Sequence, residues 1–164
     1  MFHAGQTVLY GANGVCQIAE ISTRTIGSNV MEYYVLKPVS SDSTLYVPTG
    51  NEMLVSRIRD ICTAEEARAI LSEESEPMKW ISNNQERSEY FRQVIGEENC
   101  RDLVRLVRLL HSHGKLLSER GRRLHLSDER ILREAERMVG DEIATALGIT
   151  HAEALQLILN SASI

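Results

Sequence analysis

The sequence lacks the motifs of an enzyme, a membrane protein or a disulfide-stabilised secreted protein. It contains no G-x-G-x-x-G or phosphate-binding loop, no G-x-S-x-G and no H-E-x-x-H. No apolar run approaches the roughly 20 residues that a membrane-spanning helix needs. The first residues also lack the layout of a signal peptide. A non-enzymatic protein in the cytosol is therefore expected.

Cysteine is scarce, with three residues at wide spacings. Because Cys16, Cys62 and Cys100 form no C-x-x-C pair, the sequence indicates neither a disulfide framework nor a zinc site, and buried reduced thiols are expected. His111 and His113 lie two positions apart, so on one helix they point in different directions and cannot share a metal. No metal or cofactor is predicted.

Aromatic residues make up only 5% of the chain, and Trp80 is the single tryptophan. A lone tryptophan in a helical bundle is more often a core residue than an exposed one. Trp80, however, follows Pro77 and Lys79 and precedes the polar run 82–85. These surroundings favour a half-exposed ring that could pack on a nucleobase or wedge into an opened base step. The core and wedge interpretations both remain open from the residues alone.

Charge is distributed unevenly along a chain whose net charge is −5. Residues 79–125 carry 10 Lys or Arg against 6 Asp or Glu, which makes this segment the only basic region of the sequence. The local sign of charge matters more than the total for attracting phosphate. A nucleic-acid partner is therefore compatible with an acidic protein.

The periodicity of apolar residues changes near residue 61 and predicts an α+β protein with two domains. Residues 1–61 read as four or five short strands separated by Gly, Asn and Pro, which is typical of a small, strongly bent β-barrel. Residues 62–78 contain the capping box Thr63–Glu66, a short helix and a linker at 75–77. Residues 79–164 predict a compact bundle of about four helices.

The helix boundaries in this second half are predicted from glycines and capping residues. One helix is expected over 84–95, ended by Gly96, and a second over about 98–113, with Gly114 in a left-handed conformation after it. A third is expected over about 127–147, stopped by Gly148. A capping box that begins at Thr150 predicts a last short helix.

Arginines recur at helical spacing within the basic region. Arg101, Arg105 and Arg108 are spaced i, i+4 and i+7, which places them along one face of the predicted second helix. Arg120, Arg122 and Arg123 form another cluster in the following connection. Phosphate binding needs several cations presented together. A solvated helix face balanced by neighbouring acidic residues is the competing interpretation.

Several segments together resemble the CarD family of bacterial transcription regulators, which is related in its first domain to the polymerase-interacting domain of transcription-repair coupling factor. The order and spacing of these segments carry the resemblance: Phe2, 5–10 (GQTVLY), 13–15 (NGV), 23–27 (TRTIG), 32–37 (EYYVLK), 45–48 (LYVP) and 57–60 (RIRD). In the second half, the position of Trp80, the arginine-bearing helix and Leu117-Ser118 followed by Arg122 and Arg123 match the layout of the family.

The resemblance implies a Tudor-like, SH3-like barrel that binds the β subunit of bacterial RNA polymerase through strand pairing and basic contacts. Arg24 lies at one position of that contact. Tyr46 lies at another position, often arginine in the family, so an apolar or hydrogen-bonding contact is expected there. Arg59, in the RIRD segment, completes the expected polymerase-binding set.

For the helical domain, the resemblance implies binding to promoter DNA at the upstream edge of the melted region. The tryptophan that matches Trp80 wedges into the minor groove and hinders closing of the bubble. The expected DNA-binding residues are Lys79, Trp80, Arg87, Arg101, Arg105, Arg108, Arg122 and Arg123. The sequence departs from the family at Ser82, Asn83 and Gln85, where basic residues are common, and this removes positive charge beside Trp80.

The sequence thus predicts a transcription regulator that bridges RNA polymerase and promoter DNA and stabilises the open promoter complex. The alternative is an interaction module that binds polymerase or another protein, while its helical half does not contact DNA. A monomer is favoured over a dimer. The sequence does not distinguish activation from repression or identify the promoters.

Overall fold

The computed structural model describes residues 1–74 and 76–160 of the chain. The chain divides into two compact units, Met1–Ile61 and Cys62–Ile164. Ser75 of the predicted linker and the end of the predicted second domain, residues 161–164, lie outside the described residues. Each unit has its own hydrophobic core.

The first unit contains a five-stranded antiparallel sheet with the strand order β4-β3-β2-β1-β5. The strands and the short α-helix are β1 (Thr7–Tyr10), β2 (Val15–Ile26), β3 (Asn29–Pro38), β4 (Leu45–Pro48), α1 (Glu52–Val55) and β5 (Ile58–Asp60), and a 3-10 turn over Gly11–Asn13 connects β1 to β2. A sheet followed by helices confirms the predicted α+β class. Because β4 and β5 are the two ends of the strand order, closure into a barrel stays a prediction.

The core of this sheet comes from apolar residues of the first half of β2 and the second half of β3. Ile18 and Leu36 pair across these strands and are fully buried, together with Val8 of β1. A β-bulge between Ile18 and Glu20 shifts the register of the ladder. A bulge bends the strand and increases its local twist, which suits a strongly curved sheet.

The far end of the β2–β3 hairpin is solvent-exposed. Ile26 is 60% exposed and Val30 66% exposed, on either side of a turn in which Gly27 has φ of +65°. β2 nevertheless continues to this end of the hairpin as one strand of 12 residues. The backbone of an exposed hairpin pairs whether or not its side chains are buried.

The second unit is helical over most of its described length. Its helices are α2 (Ala64–Ser72), α3 (Asn84–Glu97), α4 (Cys100–Glu119), α5 (Leu126–Leu147) and α6 (His151–Asn160). The predicted capping box is confirmed at α2, where the Thr63 hydroxyl accepts from the Glu66 amide and the Glu66 carboxylate accepts from the Thr63 amide. The predicted stop at Gly148, with φ of +66°, is also confirmed.

Two predicted helix ends are wrong. Gly96 lies inside α3, and Gly114 lies inside α4, which continues to Glu119. Among the described residues, the left-handed residues after these helices are Glu98 and Gly121 instead. A Cβ atom at Gly114 would lie 3.2 Å from the Leu124 side chain. Glycine at this position therefore reflects close packing against the following connection, and not a helix stop.

The apolar stripes of the long helices build the second core. Leu103, Leu106 and Leu110 of α4 are at most 3% exposed, and they pack with Ile131 and Ile143 of α5 in one cluster. These leucines form the apolar stripe that α4 contributes to the core. No helix in the described ranges is long and apolar enough to span a membrane.

Candidate functional site

In the first unit, the structure brings together two of the three predicted polymerase-binding residues. The guanidinium carbon of Arg24 on β2 lies 4.2 Å from the centroid of the Tyr46 ring on β4. Its Nη2 also donates a hydrogen bond of 3.0 Å to the Tyr46 hydroxyl. A cation above a tyrosine face is attracted by the ring quadrupole, by roughly 0.5–1 kcal/mol at an exposed site.

This Arg24–Tyr46 pair lies on an exposed and partly apolar surface beside an edge strand. Tyr46 is 44% exposed, its ring packs edge-on against Tyr33, and Met31 is 39% exposed. Because β4 ends the strand order, one of its sides is available to pair with another strand. Arg59 lies on β5, at the opposite end of the strand order, and is exposed. Three strands separate β5 from β4 in the order of the sheet.

In the second unit, Trp80 is half-buried and packs against the helical core. Its ring stacks on His113 of α4, with 3.6 Å between centroids and 13° between planes. Phe91 of α3 contacts it edge-on at 6.1 Å. From the sequence, Trp80 was either a core residue or a half-exposed wedge. The structure gives an intermediate placement, a ring that is fixed by the core and still partly open to solvent.

Arg87 supports Trp80 from below the surface. Its guanidinium carbon lies 4.4 Å from the Trp80 ring centroid. The residue is 3% exposed, and its Nε and Nη2 donate to the two carboxylate oxygens of Asp128, at 3.0 and 2.7 Å. Nη1 donates to the carbonyl of Ile81 next to the tryptophan. Arg87 was predicted to bind DNA, but its placement makes it a support for the Trp80 segment, without surface access to phosphate.

The surroundings of His113 keep its imidazole neutral. Burial lowers the pKa of His113, and the nearby positive charges of Arg87 and Arg120 lower it further, while Asp128 opposes them. A neutral imidazole stacks on an indole ring without burying a second charge beside Arg87. No sequence pattern pointed to this contact, because Trp80 and His113 are 33 positions apart, from 80 to 113.

The predicted arginine face of α4 is largely occupied by contacts within the second unit. Arg108 donates from Nε to the carbonyl of Ile158 and from Nη2 to the carbonyl of Leu71. Both carbonyls belong to the last turn of a helix, α6 and α2, where carbonyls lack partners within their own helix. Burial also lowers the pKa of Arg108. This guanidinium therefore joins two helix ends.

The two other arginines of this face contact the segment around the end of α2. Arg101 forms an ion pair with Glu73, and its side chain is 52% exposed. Arg105 donates from Nη2 to the carbonyl of Glu76, and its Nη1 lies 3.5 Å from Oδ1 of Asp102. The competing interpretation, a face balanced by acidic neighbours, agrees with these contacts. The sequence could not distinguish the two, because Glu73 and Glu76 lie about 30 positions away.

The exposed basic residues Lys79, Arg120, Arg122 and Arg123 form a different set. Lys79 precedes the tryptophan and is exposed. Arg120 lies close enough to His113 to affect its titration, and Arg122 and Arg123 follow it as exposed residues at the end of α4. Because α4 rises about 1.5 Å per residue, Arg101 lies roughly 18 Å along the axis from His113. The predicted DNA-binding residues thus separate into two groups.

The polar residues beside Trp80 have local structural roles. Asn83 is the N-cap of α3, and its side-chain oxygen accepts from the amides of Gln85 and Glu86. Ser82 contributes its carbonyl to Arg87. An N-cap asparagine stabilises its helix by about 1 kcal/mol relative to alanine. The positions where basic residues were expected are therefore used here to start α3.

The first unit matches a known protein family. Residues 2–59 match the model of the CarD-like/TRCF RID domain, which covers the five-stranded sheet except for the last residue of β5. The first unit is therefore an RNA polymerase-interacting module. Residues 2–59 thus carry the domain that the resemblance to the CarD family predicted for the first half of the chain.

Proposed function

We propose that this protein is a bacterial transcription regulator that binds the RNA polymerase β subunit with its first unit and promoter DNA with its helical unit. Binding of both partners stabilises the open promoter complex. The observation that carries the DNA part is the half-buried Trp80 ring, which is held by Arg87 and His113 and directly follows the exposed Lys79. A wedge residue has to be fixed on its protein side and open on the other.

The mechanism is a difference in affinity between two states of the promoter. A ring inserted at the upstream edge of the bubble binds the melted DNA better than the closed duplex, so the population shifts to the open complex. A preference of ~1.4 kcal/mol changes the ratio tenfold. Lys79, Arg120, Arg122 and Arg123 contribute phosphate contacts that are independent of base sequence.

For the polymerase contact, the Arg24–Tyr46 pair and the exposed edge of β4 are the proposed surface. Strand pairing along β4 supplies main-chain hydrogen bonds, and the neighbouring Arg24 supplies a charged contact. We expect Arg24→Glu to abolish capture of the β subunit in a pull-down. Arg57→Glu, at an exposed arginine of the same unit, is the matched control and retains capture.

The second candidate function is an interaction module whose helical unit does not contact DNA. It is supported by the contacts of Arg101, Arg105 and Arg108 within the unit, which leave fewer cations for phosphate. Measuring DNA affinity against salt separates the two candidates. The regulator loses affinity linearly with the logarithm of salt, and Arg122→Ala with Arg123→Ala reduces the slope by about 2.

In the same measurement, Arg101→Ala is the matched control, because that arginine is paired with Glu73, and it leaves the slope unchanged. Polymerase capture together with salt-insensitive or undetectable DNA binding selects the interaction module. A slope that falls with Arg101→Ala, and not with the Arg122 and Arg123 substitutions, moves the proposed DNA surface to the other end of α4.

A further inference from the structure

A cluster of metal-ligand side chains lies in the second unit, away from Trp80. The sulfur atoms of Cys62 and Cys100 and a carboxylate oxygen of Glu142 all lie within 4.8 Å of one another. Cys62 precedes the N-cap of α2, Cys100 is the first residue of α4, and Glu142 lies on α5. Three separate segments therefore contribute one ligand atom each.

The spacing of these atoms suits a tetrahedral metal ion. With Zn–S bonds of ≈ 2.3 Å, two thiolates on one tetrahedral zinc lie roughly 3.8 Å apart, and an oxygen ligand lies slightly closer. The observed separations, at most 4.8 Å, exceed these values by about 1 Å or less.

The burial of the cluster also suits a cation. Among the described residues, the buried charged side chains are Arg87, Asp128 and Glu142. Arg87 and Asp128 bind each other, and a carboxylate oxygen of Glu142 lies beside the two thiols. A divalent cation bound to that oxygen stabilises the carboxylate directly, and the two thiols release their protons when they bind it.

The ligand types select among metals. Thiolates favour zinc over calcium, magnesium and manganese, which prefer oxygen ligands. We propose that Cys62, Cys100 and Glu142 form a zinc-binding site, with water as the fourth ligand. Both cysteines are half-buried, so water can reach the open position. The sequence indicated no zinc site because residues 62, 100 and 142 are about 40 positions apart and only the fold assembles them.

Zinc bound here would connect the start of the second unit to α4 and α5. Cys62 is the first residue of this unit, and the other two ligands lie on its two longest helices. Because the ligands are assembled only in the folded state, zinc binding stabilises the folded unit by mass action. The site therefore stabilises the unit that carries Trp80, without contacting the tryptophan.

The test uses the full chain, reduced with a phosphine and freed of metal by chelator dialysis. Titration with Co²⁺ alone is expected to give a thiolate-to-metal charge-transfer band that saturates at one ion per chain, and Zn²⁺ displaces the Co²⁺. Cys62→Ser and Cys100→Ser each abolish the band, and Glu142→Gln weakens Co²⁺ binding at least tenfold. Cys16→Ala, at the cysteine of the first unit, is the matched control and leaves binding unchanged.

Thermal unfolding gives a second readout that does not depend on the band. Zn²⁺ raises the midpoint for the unsubstituted chain and for Cys16→Ala, and not for Cys62→Ser, while circular dichroism checks that each variant is helical. Absence of the band in the reduced unsubstituted chain overturns the proposal, as does a band that persists in Cys62→Ser with Cys100→Ser. Formation of a Cys62–Cys100 disulfide without metal binding by the reduced chain overturns it as well.

Discussion

The guanidinium carbon of Arg87 lies 4.4 Å from the Trp80 ring centroid, while two of its nitrogens bind both carboxylate oxygens of Asp128. One buried cation thus serves two contacts. The ion pair fixes the guanidinium plane, and the fixed plane supports the indole. The stability of the buried ion pair and the position of the tryptophan are therefore coupled.

Removal of Arg87 should destabilise the helical unit strongly. Arg87→Met leaves the Asp128 carboxylate buried without its partner, and breaking a buried pair in this way costs about 3–5 kcal/mol. Chemical denaturation followed by circular dichroism measures the loss. Because Trp80 is the only tryptophan, its fluorescence emission reports separately whether the ring becomes more solvent-exposed.

The double substitution Arg87→Met with Asp128→Leu is the control for this prediction. It removes both charges and leaves a mainly apolar site, so it should recover most of the lost free energy of unfolding. The emission of Trp80 should remain shifted, because the cation is still missing. A double variant as unstable as Arg87→Met contradicts this account of the ion pair.

The stacking of His113 on Trp80 predicts a dependence on pH. The pKa of His113 is below its ordinary value of 6.5 in the folded protein, so the folded state binds a proton less readily than the unfolded chain. The contribution of neutral His113 to the free energy of unfolding is therefore fully present above pH 6.5. It is lost as the pH falls through the lowered pKa of His113 in the folded protein. Denaturation of the unsubstituted chain and of His113→Gln at a series of pH values measures it.

The quantity to compare is the difference in free energy of unfolding between these two proteins, since most other titrating groups cancel. As the pH falls from 7 to 5, the unsubstituted chain should lose stability relative to His113→Gln. A difference that is constant over this range, or one that grows as pH falls, contradicts the neutral stacked imidazole.

Two glycine substitutions test the helix boundaries with opposite signs. Gly114 lies inside α4 with an ordinary helical backbone, so Gly114→Ala should stabilise by up to about 1 kcal/mol, provided that the Leu124 side chain moves slightly. Gly148 has φ of +66° after α5, so Gly148→Ala should destabilise by about 1 kcal/mol. Thermal or chemical denaturation measures both. Destabilisation by Gly114→Ala contradicts the predicted sign and means that the contact with Leu124 outweighs the gain in helix propensity.

The sequence predicted the class of fold well because periodicity is a local property. The change near residue 61 from strands to helices, the capping box at Thr63 and the stop at Gly148 all depend on neighbouring residues. The error at Gly114 arose because glycine also permits close packing, here against Leu124, whose position only the tertiary structure defines. At Gly96 a Cβ atom would meet nothing within 4 Å, and α3 continues one residue further, to Glu97.

The candidate sites were predicted less completely, because their contacts join distant parts of the chain. Trp80 was identified as the single tryptophan of the chain and from its neighbours in sequence. Its contacts with Arg87 and His113, and the ion pair of Arg87 with Asp128, are not encoded by spacing. The arginines of α4 share one face as predicted. Which of them are paired internally depends on α2 and α6, and a helical repeat carries no information about those partners.

The most direct test of the central claim is the lifetime of the open promoter complex with and without the protein. The unsubstituted chain should lengthen this lifetime, and Trp80→Ala should return it towards the value without protein, although Trp80→Ala still captures polymerase and remains helical. Tyr90→Ala, at an exposed aromatic residue of α3, is the matched control and should act like the unsubstituted chain. If Trp80→Ala lengthens the lifetime as much as the unsubstituted chain does, the wedge account is contradicted.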